Sequence, residues 1–192
     1  ENKGGGQGTI ATQEVARARP DGYTLILGHV GTLAVNPTMM PNLAYDPRRD
    51  FAPIIVLAKL PMVFAVGGKV PAATLPQFIA LARAKPGVLN YGSAGNGSAG
   101  HLAFEMLKTF AAIDVVHVPY KGTGAQVTDL LAGNIDAAAA GIPGLLPHAQ
   151  AGKIKILAVG SEHRLSILPD VPTVAEQGFP GFESSQWFGL LG

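Results

Sequence analysis

Residues 91–110 read YGSAGNGSAGHLAFEMLKTF: the end of a strand, a loop of glycines and small polar residues, then an amphipathic helix. Within the loop, Gly95-Asn96-Gly97-Ser98-Ala99-Gly100 is a formal GxGxxG. A dinucleotide site would add an acidic residue ~20 positions further on, at the end of the next strand, to hold the ribose hydroxyl. Here that strand ends Val118-Pro119-Tyr120-Lys121-Gly122, and the nearest acid, Asp114, precedes it. A phosphate-cradling P-loop requires a lysine that this loop lacks. A nucleophile elbow requires GxSxG, but Tyr91 stands two places before Ser93 and Asn96 two places before Ser98. No acid–base pair is spaced like a hydrolase triad.

What remains is simpler physics. Backbone N–H groups at a helix N-terminus, with the positive end of the helix dipole, form an anion site that carries no formal charge. Asn96 or Ser98 can cap the helix while a second small polar group faces a ligand. The plainer alternative is that Ser98 only caps and the glycines only turn the chain. The recurrence of similar loops at 28–32, 120–124 and 141–144 favours a cleft built largely from backbone.

The histidines, His29, His101, His117, His148 and His163, show no HExxH and no close pairing, so no metal site is expected. His117 alternates within a strand and reads as a hydrogen-bonded core or rim residue. His101, in the first helical turn, reads as a residue that orients the loop. Arg48-Arg49-Asp50 reads as a solvated turn, and Trp187 and Phe188 as core.

These loops need a scaffold. The glycine run beginning at Gly4 opens a helix expected to reach residue 19, with Ile10, Val15 and Ala18 on its buried side. Strands are expected at 23–27, 51–57 and 62–66, and a helix at 74–84 with Leu75, Phe78, Ile79 and Ala82 on one face. Beyond that, strands at 88–91, 115–118, 135–140 and 154–159 alternate with helices at 99–110, 125–132 and 144–151. That alternation implies βαβ units around a parallel sheet, whose ligands sit at the carboxyl ends of the strands.

Composition narrows the class. The 192 residues fit one domain or two small ones, and a net charge of +1 with no basic run excludes electrostatic capture of nucleic acid or an anionic membrane. The absence of cysteine removes disulfides, thiol nucleophiles and thiolate metal sites. The most apolar stretch, 54–66, is cut by Lys59 and Pro61 and falls short of the ~20 residues a membrane helix needs. The chain opens Glu1-Asn2-Lys3 without a methionine, so a missing leading segment, of a kind that can include an export signal, is expected.

In order and spacing, PDGYTLILGHVGTLAVNPTMM, YDPRRDFAPI, LNYGSAGNGSAGHLA, VHVPYKGTGAQVTDLLAG and LPDVPTVAEQGFPGFESSQWFGLL resemble the Bug-type solute-binding receptors of tripartite tricarboxylate transporters, over essentially the whole chain. The resemblance implies a two-lobed α/β fold of the periplasmic-binding-protein type (type II) with mainly parallel sheets, present here as a central portion. Its first lobe would comprise 1–63 and 186–192 and its second 64–185. It implies a periplasmic, monomeric, non-enzymatic receptor without a cofactor, which closes on a small di- or tricarboxylate and delivers it to the membrane components of the transporter. The ligand would be held by backbone amides, small hydroxyls and waters. The residues expected to line that site are Gly28, His29, Gly31 and Thr32; Ser93, Asn96, Gly97 and Ser98; Tyr120, Lys121 and Gly122; and Gly141 and Ile142. Some members carry an acid just before the position of Ile142, suited to a ligand amino group. Ala139-Ala140-Gly141 stands here, which disfavours amino acids. The alternative is a doubly wound α/β enzyme binding a nucleotide or acyl substrate at loop 95–100.

Overall fold

A computed structural model describes every residue except Asn2 and Gly4, so the expected helix start at Gly4 lies outside the described residues. The chain divides into two compact units, Glu1–Leu60 with Gln186–Gly192, and Pro61–Ser185.

The second unit is the βαβ region. Strands β3 (Asn90–Ser93), β4 (Val116–Pro119) and β5 (Ala137–Gly141) are parallel, with β3 between the other two. The C-terminal half of β2 (Pro53–Gly67) pairs antiparallel with both β5 and β6 (Ile154–Val159), so this sheet is mixed and not uniformly parallel. Helices α3 (Leu75–Ala84), α4 (Ala99–Ala111), α5 (Thr123–Ala132) and α6 (Ile142–Gln150) follow the alternation expected from the sequence, to within a few residues at each boundary.

Period-2 geometry explains why the unit holds together. Met62, Phe64 and Val66 enter one buried cluster with Phe78, Phe104 and Phe182, while Val63 and Ala65, pointing the other way, join Leu130 and Leu145. Ala137 to Ala140 alternate in the same manner. The alanines let helices approach closely: a Cβ on Gly100 of α4 would overlap the carbonyl oxygen of Ala139. Helix α3 buries Leu75, Phe78, Ile79 and Ala82, the face read from its spacing, and Thr74 caps it by accepting the Gln77 N–H at 3.4 Å. Gly133 ends α5 in the left-handed conformation (φ 76°).

The first unit departs further from expectation. Its first helix, α1, is only Thr9–Ala16, and Thr12 is its single buried residue, whereas Ile10 is 51% exposed. Positive φ at Gly5, Gly6, Gln7 and Gly8 prevents an α-helix from starting earlier. Strand β1 (Ile26–His29) sits later than the 23–27 expected and pairs antiparallel with β7 (Ser185–Leu191). A π-helical turn, Gly31–Val35, leads into the short α2 (Asn36–Met39). The strands expected at 51–57 and 62–66 are one continuous strand, β2. Pro61 removes a donor, but pairing resumes at Met62, whose N–H donates to Ser184 O at 3.0 Å. Trp187 and Phe188 lie in β7 and are half-buried, not core. No helix among the described residues is long and apolar enough to cross a membrane.

Candidate functional site

Because β3, β4 and β5 are parallel, their carboxyl ends at Ser93, Pro119 and Gly141 lie on one edge of the second unit's sheet, and each runs into a helix N-terminus. The loops between them interlock. Tyr120 N–H donates to Ser93 O at 3.0 Å. A Cβ on Gly95 would sit 3.2 Å from Tyr120 O, and one on Gly144 would sit 2.9 Å from Thr123 Cγ2. This edge therefore gathers Ser93, Asn96, Gly97, Ser98, Tyr120, Lys121, Gly122, Gly141 and Ile142, nine of the expected residues.

The helix starts are under-capped. Ser98 caps α4 by accepting the His101 N–H at 3.3 Å, leaving the first amides of α4, at Ala99 and Gly100, without an intrahelical partner. No side chain caps α5, whose N-cap is Gly122 with φ 116°, nor α6, whose N-cap is Gly141. Each start offers backbone donors and the positive end of a helix dipole to an anion.

Within loop 95–98 the donors divide into two sets. Gly95 N–H goes to Ser93 Oγ (3.2 Å), Ser98 N–H to Gly95 O (3.1 Å), and Gly97 N–H to Nδ1 of His101 (3.1 Å). The Gly97 amide is thus engaged inside the protein, and Asn96, whose side chain is exposed, is the loop residue whose donors face outward. His101 orients the loop, as its position in the first turn implied.

Behind the loop, Phe104, Tyr91, His117 and His101 form a column of rings, with centroids 3.9, 4.9 and 4.2 Å apart in that order. His117 Nε2 lies 2.7 Å from Ser93 Oγ. This has the form of a nucleophile–base pair, but Ser93 is fully buried and its hydroxyl also engages both the N–H and the carbonyl of Gly95. It is a structural pair. Burial lowers the pKa of both imidazoles, aided at His117 by the neighbouring His101, and His117 is pushed down to about 4. At neutral pH both rings are neutral. Tyr120 donates its hydroxyl to Asp129 at 2.6 Å; burial and that carboxylate push the phenol up to about 12, so it stays a neutral donor.

Sequence reasoning missed Gln126. Fully buried on α5, it donates Nε2 to Gly92 O (2.9 Å) and Ala139 O (3.1 Å), tying β3 to β5 directly behind the loops, while its Oε1 has no partner among the described residues. A polar residue on the face that also carries Val127 and Leu130 was the available signal.

In the first unit, Gly28, His29, Gly31 and Thr32 lie together where β1 enters the π-helical turn. A Cβ on Gly28 would overlap Leu33 and meet Leu191, so this glycine serves packing. His29 Nδ1 accepts the Gly31 N–H at 3.0 Å, and burial lowers the ring's pKa. Thr32 is buried; its hydroxyl donates to His29 O (3.2 Å) and its carbonyl accepts the Tyr45 hydroxyl (2.6 Å). Residues 5–8, read from sequence as a helix start, join this cluster instead. Asn36 Nδ2 donates to Gln7 O at 3.2 Å, and a Cβ on Gly8 would sit 2.6 Å from Thr32 Cγ2.

The family model described as "Tripartite tricarboxylate transporter family receptor" matches residues 1–192. Protein BugT of Bordetella pertussis is 36% identical over the whole chain, which spans 59% of that protein. Among solved structures, R. palustris Rpa4515 with adipate superposes with a TM-score of 0.94 at 37% identity, covering 100% of this chain and 64% of that one. MatC from Rhodopseudomonas palustris with bound malate gives 0.87 at 35% identity, covering 97% and 64%. The chain thus spans about three-fifths of the length of these relatives and shares their fold, and it belongs to the tripartite tricarboxylate transporter receptor family.

Proposed function

We propose that the protein is a periplasmic solute-binding receptor that captures a small di- or tricarboxylate and delivers it to the membrane components of a tripartite tricarboxylate transporter. The observation that carries this reading is the convergence of three under-capped helix starts, α4, α5 and α6, at one edge of the second unit. Family membership and the adipate and malate held by two relatives support it.

A carboxylate placed there accepts N–H bonds from Asn96 of the loop, from Ala99 and Gly100 of α4, and from the first turns of α5 and α6. Charge-assisted bonds of this kind are roughly twice as strong as neutral ones, so backbone alone suffices to hold an anion. Lys121, which is exposed, adds a positive charge at the rim. Specificity follows from what is missing: Ala137 to Ala140 are all buried and bring no carboxylate to the end of β5, leaving a ligand ammonium without a partner. Dicarboxylates are therefore favoured over amino acids.

Calorimetric titration of the whole protein against adipate, malate, citrate, aspartate and a nucleotide tests this. The reading expects binding of at least one unmodified di- or tricarboxylate, weaker or absent binding of aspartate, and none of the nucleotide. Nucleotide binding without carboxylate binding would overturn it in favour of the doubly wound enzyme.

A further inference from the structure

The two loop clusters share a device. In the second unit, a glycine amide of the loop, Gly97 N–H, donates to Nδ1 of His101 at 3.1 Å. In the first, Gly31 N–H donates to Nδ1 of His29 at 3.0 Å. In both, the imidazole accepts at Nδ1, which only a ring without a proton on that nitrogen can do. Protonation puts a second donor against the glycine N–H and breaks the bond.

We infer that His101 and His29 are positioning residues that hold their loops in binding geometry only while their rings are neutral, so that acidification releases the loops and weakens ligand binding. This rests on the receptor reading above. The surroundings of His101 are suited to the role. His117 from β4 stacks on it at 4.2 Å, with Tyr91 of β3 beyond, and Glu105 and Lys108 of α4 form an ion pair at 2.8 Å on the same helix. Glu105 also accepts the Tyr91 hydroxyl at 2.7 Å, so its charge is shared among several donors and only partly offsets the effect of burial on the imidazole. Burial lowers the pKa of His101, and a second cation beside His117 is unfavourable, so both rings are neutral at neutral pH. Around His29, the Phe188 ring of β7 lies at 6.2 Å, and burial alone acts on its ionisation.

The test compares the wild type with His101→Asn, His29→Asn and His101→Leu. Asparagine keeps an acceptor at the δ position but does not titrate; at His29 it forms the ordinary Asx turn to the amide two residues on. Leucine keeps bulk and loses the acceptor. In the ligand-free protein, the Gly97 and Gly31 amide resonances should titrate together with the His101 and His29 rings, and stop titrating in the corresponding asparagine variants. In titrations with adipate and malate, the ratio of wild-type to asparagine-variant affinity should fall several-fold between pH 7 and about pH 4, a ratio from which the ligand's own ionisation cancels. His101→Leu should bind about tenfold more weakly than His101→Asn at every pH, the worth of one neutral hydrogen bond. Amide resonances that ignore the rings would overturn the inference. So would an affinity ratio that stays constant with pH, or asparagine and leucine variants that bind alike. If neither probe binds any variant, the receptor reading is what fails, and the amide titrations still decide the part played by the imidazoles.

Discussion

The two units hold similar loops by different means. In the second, clusters of 23 and 10 buried apolar residues cover both faces of the sheet, and the loops ride on strand ends fixed by that packing. In the first, the buried apolar cluster among the described residues is Ile26, Tyr45, Phe51 and Leu191, and buried polar residues carry much of the work: Thr12 to Gly8 O, Asn36 to Gln7 O, and Thr32 to His29 O. The N-terminal half of β2 adds little, since Ile54, Ile55, Val56 and Leu57 are each 56% exposed. A loop on a packed scaffold is preorganised by volume and area, whereas a loop held by hydrogen bonds is only as stiff as those few bonds.

The largest expected effect is on the packed side. Phe104 touches Phe64, Phe78 and Tyr91, so Phe104→Ala should cost about 3–5 kcal/mol in denaturant unfolding. Hydrogen exchange of the unaltered protein should show slower amides in β3, α4 and β5 than in β1. Equal protection would erase the contrast between the units.

Two glycines sharpen it. An added methyl at Gly100 meets a backbone carbonyl, Ala139 O, which cannot move without separating α4 from β5. At Gly28 it meets the flexible ends of Leu33 and Leu191. Gly100→Ala should therefore cost about 1–3 kcal/mol and Gly28→Ala less, by thermal unfolding. The reverse order would show that the first unit is the more tightly packed there.

Thr32→Val removes the hydroxyl that meets His29 and should cost about 1–2 kcal/mol. Trp187, the only tryptophan, lies in the first unit and reports this by fluorescence, while exchange in the second unit stays unchanged.

His117 gives a pH signature to the second unit. Its pKa lies below the unfolded value of about 6.5, at about 4. Between these values the unfolded chain binds the extra proton, so stability is full above pH ~6.5 and declines as pH falls toward 4. His117→Gln should flatten unfolding midpoints over that window, and an unchanged slope would place the acid sensitivity elsewhere.

Much of the second unit was legible in the sequence because both of its periodicities are clean. The α3 face, β6 and the Gly133 stop all follow from spacing and turn chemistry. The first unit was less so. Its helix was overextended because glycines at positive φ resemble a helix start on paper, and β2 was split because Pro61 reads as a breaker although the ladder resumes one residue later. At the site, a cap at Asn96 or Ser98 and His101 as loop orienter were readable from position near the helix start, and the structure places the cap at Ser98. That Gly97 turns its amide toward His101, and that Gln126 ties two strands from behind, depend on tertiary contacts that no local pattern encodes.

The central claim is that a carboxylate binds to backbone donors at the start of α4, and Ser98→Asp tests it most directly. Aspartate caps as serine does and suits the helix dipole, so thermal stability should change by less than about 1 kcal/mol. The added negative charge stands beside the proposed anion, and calorimetry with adipate and malate should show affinity falling at least tenfold. Undiminished dicarboxylate affinity in a stable Ser98→Asp protein would contradict the assignment of this loop.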